Sequence, residues 1–135
     1  METYKLKDDV TVFGFQVKTF PDRIGEAFDS LVAKVPEGRN RSYYGIAYLS
    51  EGKPVYIAAV EEKNSGEAEK HHCERFKIEK GNYYTVTLRD WRTKTASIKD
   101  VFDEMMQDKS VDQTKPCIEW YRNDNEMRCM VKAIS

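Results

Sequence analysis

The sequence contains two copies of one pattern about 74 residues apart, and this repeat restricts the possible folds more than any other feature. The segments that begin at Ile24 and Ile98 both place apolar residues at i, i+3, i+4, i+7 and i+8, which is the pattern of a helix with one apolar face. Further segments align at the same or a similar offset: residues 43–49 with 117–123, 55–60 with 129–134, 11–12 with 85–86, and, at an offset of 72, 4–7 with 76–79. The alignment predicts pseudo-repeats over about residues 4–63 and 73–134 of one domain that covers residues 1–135.

Each repeat has the pattern strand, helix, strand, strand. The predicted elements are strands at 10–19, 42–50, 55–61, 83–89, 116–122 and 127–134, and helices at about 22–35 and 97–107. The polar segment 62–72 between the halves is predicted to be a connecting loop. Units of about 60 residues are marginal alone, but two of them can share one antiparallel sheet with both helices packed against it. We therefore predict an α+β fold with a crevice where the two halves meet, a place where ligands often bind.

Composition excludes several classes of function. The 135 residues carry 22 Lys and Arg against 23 Asp and Glu, and this balance argues against a nucleic-acid-binding face, even with a basic loop at 89–94. No apolar run approaches the roughly 18–20 residues that span a bilayer, and the first ten residues do not resemble a signal peptide. We therefore expect a cytoplasmic protein without membrane contact, in which Cys73, Cys117 and Cys129 are reduced thiols.

Glu119 is the strongest candidate for a functional residue. It lies in the apolar strand segment at 116–121, where an unpaired carboxylate costs several kcal/mol to desolvate. Its equivalent in the first repeat is Gly45, so the glycine leaves room for a ligand and the glutamate supplies polarity. Two other interpretations stay open: Glu119 lies on a solvent face of the sheet, or it pairs with a neighbouring arginine such as Arg128.

The chain is rich in aromatic residues, with two Trp, eight Tyr and six Phe. A cation over such rings gains about 0.5–2 kcal/mol in a good contact, so rings around a carboxylate would suit an organic cation. The candidate ligand-binding residues are Glu119, Tyr121, Tyr44, Tyr48, Tyr56, Trp91 and Phe15. The alternative is that most rings belong to the ordinary core and to cross-strand pairs, and alternation alone does not show which sheet face carries a pocket.

Other kinds of site have little support. His71, His72 and Cys73 are adjacent and lack a second cluster with metal-ligand spacing, so no metal site is predicted. Cys117 lies close to Glu119 in sequence, but no histidine occupies an obvious position to activate it. The chain has no phosphate-binding loop, dinucleotide fingerprint or hydrolase nucleophile motif, and no cofactor is expected.

Three short motifs together resemble a known family. They are Tyr-Tyr-Gly-Ile at 43–46, Phe-x-Ile-x-x-Gly-x-Tyr at 76–83 and, above all, Pro-x-x-Glu-x-Tyr at 116–121. The set resembles the GyrI-like small-molecule-binding domain, which is also the effector-binding part of multidrug-responsive transcription activators, and the resemblance covers about residues 4–134. It implies a curved antiparallel sheet with two helices and a central cleft, in which Glu119 is the acidic residue that meets cationic, aromatic ligands.

The resemblance leads to one expected function and two alternatives. No DNA-binding segment precedes the domain, so we expect a stand-alone protein that binds small hydrophobic, cationic molecules. Some stand-alone members of the family hydrolyse cyclopropane-bearing genotoxins, and here Glu119 would be the general base. The third possibility is a protein-interaction module that binds a regulator or a topoisomerase, or that forms a homodimer.

Overall fold

The computed structural model describes residues 1–134 and contains eight strands and three α-helices. The strands are β1 (Glu2–Leu6), β2 (Val10–Gln16), β3 (Tyr43–Ser50), β4 (Lys53–Glu61), β5 (Glu74–Ile78), β6 (Gly81–Arg89), β7 (Cys117–Tyr121) and β8 (Glu126–Lys132). The helices are α1 (Ile24–Lys34), α2 (Glu67–Lys70) and α3 (Ile98–Met105), and short 3-10 helices occur at Gly38–Asn40, Trp91–Thr93 and Thr95–Ser97. No helix within residues 1–134 is both long and apolar enough to cross a membrane.

All eight strands form one curled antiparallel sheet in the order β1-β6-β8-β7-β3-β4-β2-β5. The predicted α+β class, the curved antiparallel sheet and the two helices of the repeats are confirmed. The structure adds the strands β1 and β5 at the two edges and the short helix α2, which lies inside the segment predicted to be a loop.

The sheet order reads the same from both ends when each strand of the first half is exchanged with its counterpart in the second half. The strands β3 and β7 pair at the centre, β1 pairs with β6 of the other half, and β5 pairs with β2. This is the order that two units related by a two-fold axis would give. Each half therefore supplies one edge strand to the other, and neither half has a complete sheet of its own.

The pairing register corrects part of the sequence alignment. Gly45 lies directly opposite Glu119 across β3 and β7, as the offset of 74 requires if the two residues are equivalent. In the next strands, however, Gly45 pairs with Ala58 and Glu119 pairs with Cys129, so the equivalent residues Ala58 and Cys129 are only 71 apart. The offset of 74 is therefore wrong for the last strand of the repeat, and it is wrong in the same way for β2 and β6. For the last strand, the cause is that the chain from Glu119 to its partner Cys129 is shorter than the chain from Gly45 to its partner Ala58. For β2 and β6, the cause is that the connection from β6 to β7 is longer than the one from β2 to β3.

The two faces of the sheet are covered differently. On one face, here called the helix face, α1 packs through Ala27 and Leu31 and α3 packs through Ile98, Phe102 and Met105. Apolar side chains at helical spacing explain both contacts. The opposite face carries its own apolar core, built from side chains of seven strands: Val12, Tyr44, Ile46, Ile57, Ala59, Ile78, Tyr83, Ile118 and Met130.

A buried ion pair fixes the segment between the halves. The guanidinium of Arg41 donates two hydrogen bonds to the carboxylate of Glu67, at 2.9 and 2.7 Å, and both side chains are almost completely buried. Glu67 also accepts hydrogen bonds from the backbone N–H groups of Lys63 and Asn64. Together these bonds lower the pKa of the Glu67 carboxyl to about 2, with the hydrogen bonds from Arg41 as the largest cause. The segment predicted to be a connecting loop is thus held by a buried charge pair to Arg41, which lies between the 3-10 helix Gly38–Asn40 and β3.

Candidate functional site

Glu119 lies on the helix face at the centre of the sheet. Side chains alternate along β7, so Cys117, Glu119 and Tyr121 share this face while Ile118 and Trp120 belong to the other. The Glu119 side chain keeps some accessible surface although protein atoms lie on most sides of it. It does not pair with Arg128, and it is not on a solvent-exposed face of the sheet.

Two phenols hold the Glu119 carboxylate. The hydroxyl of Tyr56 donates to Glu119 Oε1 at 2.6 Å, and the hydroxyl of Tyr121 donates to the same oxygen at 2.8 Å. Tyr56 comes from β4 of the first half and Tyr121 from β7 of the second, so both halves contribute. No residue of the described part of the chain donates a hydrogen bond to the other carboxylate oxygen, Oε2. This oxygen keeps its full capacity to accept a hydrogen bond or to meet a positive charge.

Burial sets the protonation of these groups. Desolvation raises the pKa of the Glu119 carboxyl above its usual range, and the two tyrosine hydrogen bonds only partly oppose this effect. Desolvation and the nearby carboxylate also raise the pKa values of Tyr56 and Tyr121, so both phenols stay protonated donors at physiological pH. A carboxyl with a raised pKa and an unpaired oxygen is a group that a bound cation would stabilise in its charged form.

Six aromatic rings, here called the aromatic cluster, are joined by ring–ring contacts into one group that includes the two phenols that bind Glu119: Phe20, Phe28, Tyr43, Tyr56, Trp91 and Tyr121. Phe20 stacks on Tyr56 with ring centroids 5.0 Å apart. Tyr121 is flanked by Trp91 at 4.8 Å and by Phe28 of α1 at 5.5 Å, both in edge-to-face contacts. The indole N–H of Trp91 donates to the backbone oxygen of Asn123 at 3.0 Å, which fixes this ring at the end of β7.

Gly45 provides the space in which the carboxylate and Tyr56 meet. A Cβ atom at this position would lie closer than 3.0 Å to the hydroxyl oxygen of Tyr56 and to Glu119 Oε1. Any other residue would therefore displace one of the two hydrogen-bonding groups. The sequence predicts that this glycine leaves room for a ligand, but the space beside it is filled by the Tyr56 hydroxyl and the Glu119 carboxylate.

The structure brings four of the seven candidate residues together and places three elsewhere. Glu119, Tyr121, Tyr56 and Trp91 lie in one group. Tyr44 is buried in the core of the opposite face, where its ring stacks on Trp120. Tyr48 lies near the end of β3 on that same opposite face and is 41% exposed. Phe15 packs against the apolar residues near α1, with the ammonium of Lys34 at 5.8 Å from its ring centre, and has no recorded contact with Glu119.

Sequence reasoning missed three rings of the aromatic cluster: Phe20, Phe28 and Tyr43. Phe28 was visible as an apolar position of the predicted helix, but the sequence does not show which strand that helix covers. Tyr43 and Tyr44 are neighbours on one strand, and only the structure decides that the first of them shares the face of Glu119.

Two hollows of the surface lie away from Glu119. One, of about 510 Å³, is lined by Tyr48, Leu49, Met106 and residues 113–116; the other, of about 290 Å³, lies between Glu79, Lys115, Lys132 and the edge of the opposite core. Neither hollow is lined by a ring of the aromatic cluster, of which Phe20, Phe28, Trp91 and Tyr121 keep some exposure to solvent.

The cysteines do not form an activated nucleophile. All three are free, and Cys117 and Cys129 lie on strands as predicted. Burial raises the pKa of the Cys117 thiol to about 11 and that of Cys129 to about 12, so neither is a thiolate at neutral pH. Within residues 1–134, no group of three or more His, Cys, Asp or Glu side chains is arranged to hold a metal ion.

Several solved structures share this fold. An integron cassette protein from the mobile metagenome of Vibrio cholerae superposes with a TM-score of 0.73 at 13% identity, covering 98% of this chain and 94% of that one. SAV2435, solved with tetraphenylphosphonium bound, gives 0.63 at 16% identity, covering 97% and 93%. A hydrolase from Listeria innocua gives 0.59 at 10% identity, covering 98% and 90%. No family model and no curated protein sequence matches the chain.

Proposed function

We propose that this protein binds small hydrophobic organic cations, with Glu119 as their counter-ion and the aromatic cluster as their surface. The observation that carries the proposal is the state of Glu119: a desolvated carboxylate whose Oε1 accepts two phenol hydrogen bonds while its Oε2 has no partner in residues 1–134. Desolvation disfavours the charged form of such a group, and a cation in contact with Oε2 would stabilise that form.

The aromatic cluster suits an aromatic cation. Its six rings present faces and edges over which a positive charge gains about 0.5–2 kcal/mol per good contact, and most of them keep some exposure to solvent. SAV2435, which has the same fold, was solved with tetraphenylphosphonium, a cation shielded by four phenyl rings. A similar ligand here would displace ring–ring contacts within the cluster and replace them with its own.

Replacing Glu119 by glutamine is expected to weaken the binding of tetraphenylphosphonium by at least about tenfold, because the amide keeps the shape of the side chain and removes its charge. Isothermal titration calorimetry on both proteins measures the difference. Glu104→Gln, at an exposed position of α3, is the matched control and should bind as the unchanged protein does. Equal affinity of the Glu119→Gln and Glu104→Gln variants would refute Glu119 as the counter-ion.

The affinity for a cation is expected to rise with pH. The pKa of Glu119 is raised in the folded protein without ligand. Protonated Glu119 therefore adds to the free energy of unfolding below the ordinary carboxyl pKa, and this stabilisation is lost as the pH rises through the raised pKa of the folded protein. Because the cation prefers the ionised form, tetraphenylphosphonium should bind more tightly as the pH rises from about 4 to 8 and should release a proton on binding. Calorimetry in buffers of different ionisation enthalpy measures that proton. A pH-independent affinity would contradict the proposed charge pairing.

A hydrolase that uses the same carboxylate is the second candidate. Its support is the combination of the unpaired Oε2 with a pKa shifted towards neutrality, which improves a carboxylate as a general base for water. The Listeria innocua hydrolase shows that an enzyme occurs on this fold. Turnover of a strained, alkylating cyclopropane compound that falls at least about 100-fold in Glu119→Gln would establish catalysis. If the compound binds but no product forms, the hydrolase candidate is rejected and only the binding function is supported.

A further inference from the structure

The opposite face of the sheet carries a second group of unusual side chains, centred on Trp120 and Arg128. These residues lie directly opposite each other on β7 and β8. The guanidinium of Arg128 lies 5.3 Å from the centre of the Trp120 ring and 5.5 Å from that of Tyr4, and the guanidinium of Arg122 lies 5.0 Å from the Trp120 ring. Tyr44 and Tyr4 complete the surround of the indole at 6.2 and 5.8 Å.

Two hydrogen-bond donors in this group are buried without an acceptor. The indole nitrogen Nε1 of Trp120 and the nitrogen Nε of Arg128 are both inaccessible to solvent, and neither has a partner in residues 1–134. Buried donors are nearly always paired, because an unpaired one loses its bond to water and gains nothing in return. Two of them on residues that lie opposite each other across one strand pair indicate that an acceptor is missing in this part of the sheet.

The charges around the group are unbalanced. Glu126 is paired with Arg89 at 3.2 Å and with Arg122 at 2.8 Å, so one carboxylate already serves two arginines. Arg128 has no acidic partner within 4.0 Å and no hydrogen-bond acceptor in the described part of the chain. Three arginines with one glutamate give this corner a positive charge, although the whole chain carries a net charge of −1.

We propose that Arg128 and Trp120 form a binding site for an anionic oxygen group, a carboxylate or a phosphate carried by a small molecule. The planar guanidinium presents Nε–H beside a terminal N–H, and this pair of donors can bind two oxygens of one carboxylate or phosphate. The indole N–H, which can only donate, supplies a further hydrogen bond to the anion. The rings of Tyr4 and Tyr44 provide an apolar border for the rest of the ligand. This site is on the reverse side of β7 from Glu119, so it is separate from the proposed cation site.

The two tryptophans make the test specific. The side-chain N–H signals of a ¹⁵N-labelled sample are followed during titration with sodium phosphate and, separately, with sodium benzoate, with chloride used to hold the ionic strength constant. The Trp120 indole signal should shift and saturate with a dissociation constant on the order of 1 mM in at least one titration. The Trp91 indole signal, whose N–H is bonded to the oxygen of Asn123, should not move and is the internal control.

Variants connect the shift to Arg128. In Arg128→Gln the dissociation constant measured from the Trp120 signal should increase at least about tenfold. Arg92→Gln is the matched control, because the Arg92 guanidinium lies over the other tryptophan ring, that of Trp91, at 4.7 Å from its centre. Arg128→Lys keeps the positive charge but lacks the Nε–H group and the planar arrangement of donors, so it should bind the anion at least about threefold more weakly than the unchanged protein. This variant is used if Arg128→Gln does not fold. An unresponsive Trp120 signal, or the same dissociation constant in the Arg128 variant and in Arg92→Gln, would overturn the proposal and leave an ordered water as the acceptor. Saturation with phosphate only or with benzoate only identifies which oxygen group the site takes.

Discussion

Replacing Glu67 by alanine is expected to lower the free energy of unfolding by about 3–5 kcal/mol. The substitution leaves the guanidinium of Arg41 buried without its counter-ion, since the Arg41 side chain is only 1% exposed. It also removes the acceptor for the backbone N–H groups of Lys63 and Asn64, which close the segment between the halves. Urea denaturation followed by circular dichroism measures the change.

The neighbouring residue Glu69 provides the control for this prediction. It lies on the same short helix, 70% of its side chain is exposed, and its contact with Arg75 is a surface pair at 3.4 Å. Glu69→Ala should therefore change the stability by no more than about 1 kcal/mol. The pKa of Glu67 is lowered to about 2 in the folded protein. The stabilisation by ionised Glu67 is therefore fully present above the ordinary carboxyl pKa, and it is lost as the pH falls from there through about 2. A Glu67→Ala protein as stable as Glu69→Ala would show that the buried pair contributes nothing.

Replacing Gly45 by alanine is expected to damage both the fold and the site. The added methyl group would overlap the Tyr56 hydroxyl and Glu119 Oε1, so at least one of these groups has to leave the hydrogen bond. Overpacking of this kind costs about 1–3 kcal/mol of stability. A displaced carboxylate would also reduce the affinity for tetraphenylphosphonium, by at least about tenfold if Glu119 is the counter-ion.

The same substitution at Gly25 is the matched control. This glycine lies in α1, and a Cβ atom there would meet nothing within 4 Å. Alanine is also the better helix former, so Gly25→Ala should stabilise the protein by up to about 1 kcal/mol and leave cation binding unchanged. Melting curves and calorimetry on the two variants give both quantities. Unchanged affinity in Gly45→Ala would mean that the ligand does not use the space beside Glu119.

The centre of the sheet could be predicted from the sequence because the repeat made it visible. Aligning the two copies paired Gly45 with Glu119, and the register places these two residues opposite each other. The alignment has the wrong offset for the strands before and after this centre, because the lengths of the hairpins and of the helical connections are local properties that the central strands do not determine.

Other features depend on contacts that no local pattern encodes. Glu67 lies in a polar, charged stretch, and its burial results from Arg41, a partner 26 residues earlier in the chain. Whether Tyr43 or Tyr44 shares the face of Glu119 depends on the register of β3, because a shift of one residue moves every side chain of a strand to the other face. Alternation shows that neighbouring side chains point apart, but it does not show which of the two faces the helices cover. Phe28 was recognisable as a helix residue, whereas its contact with Tyr121 depends on how α1 is placed across the sheet.

The opposition of Gly45 and Glu119 also limits how many charged ligands the protein can hold at this point. If both halves carried a glutamate there, two acids would face each other across one strand pair, where like charges repel, and each would occupy the volume that the other needs. Only one half can therefore be acidic, and a nearly symmetric framework gains a single, directional binding position. We expect one monovalent cation per chain, bound in one orientation relative to the two halves.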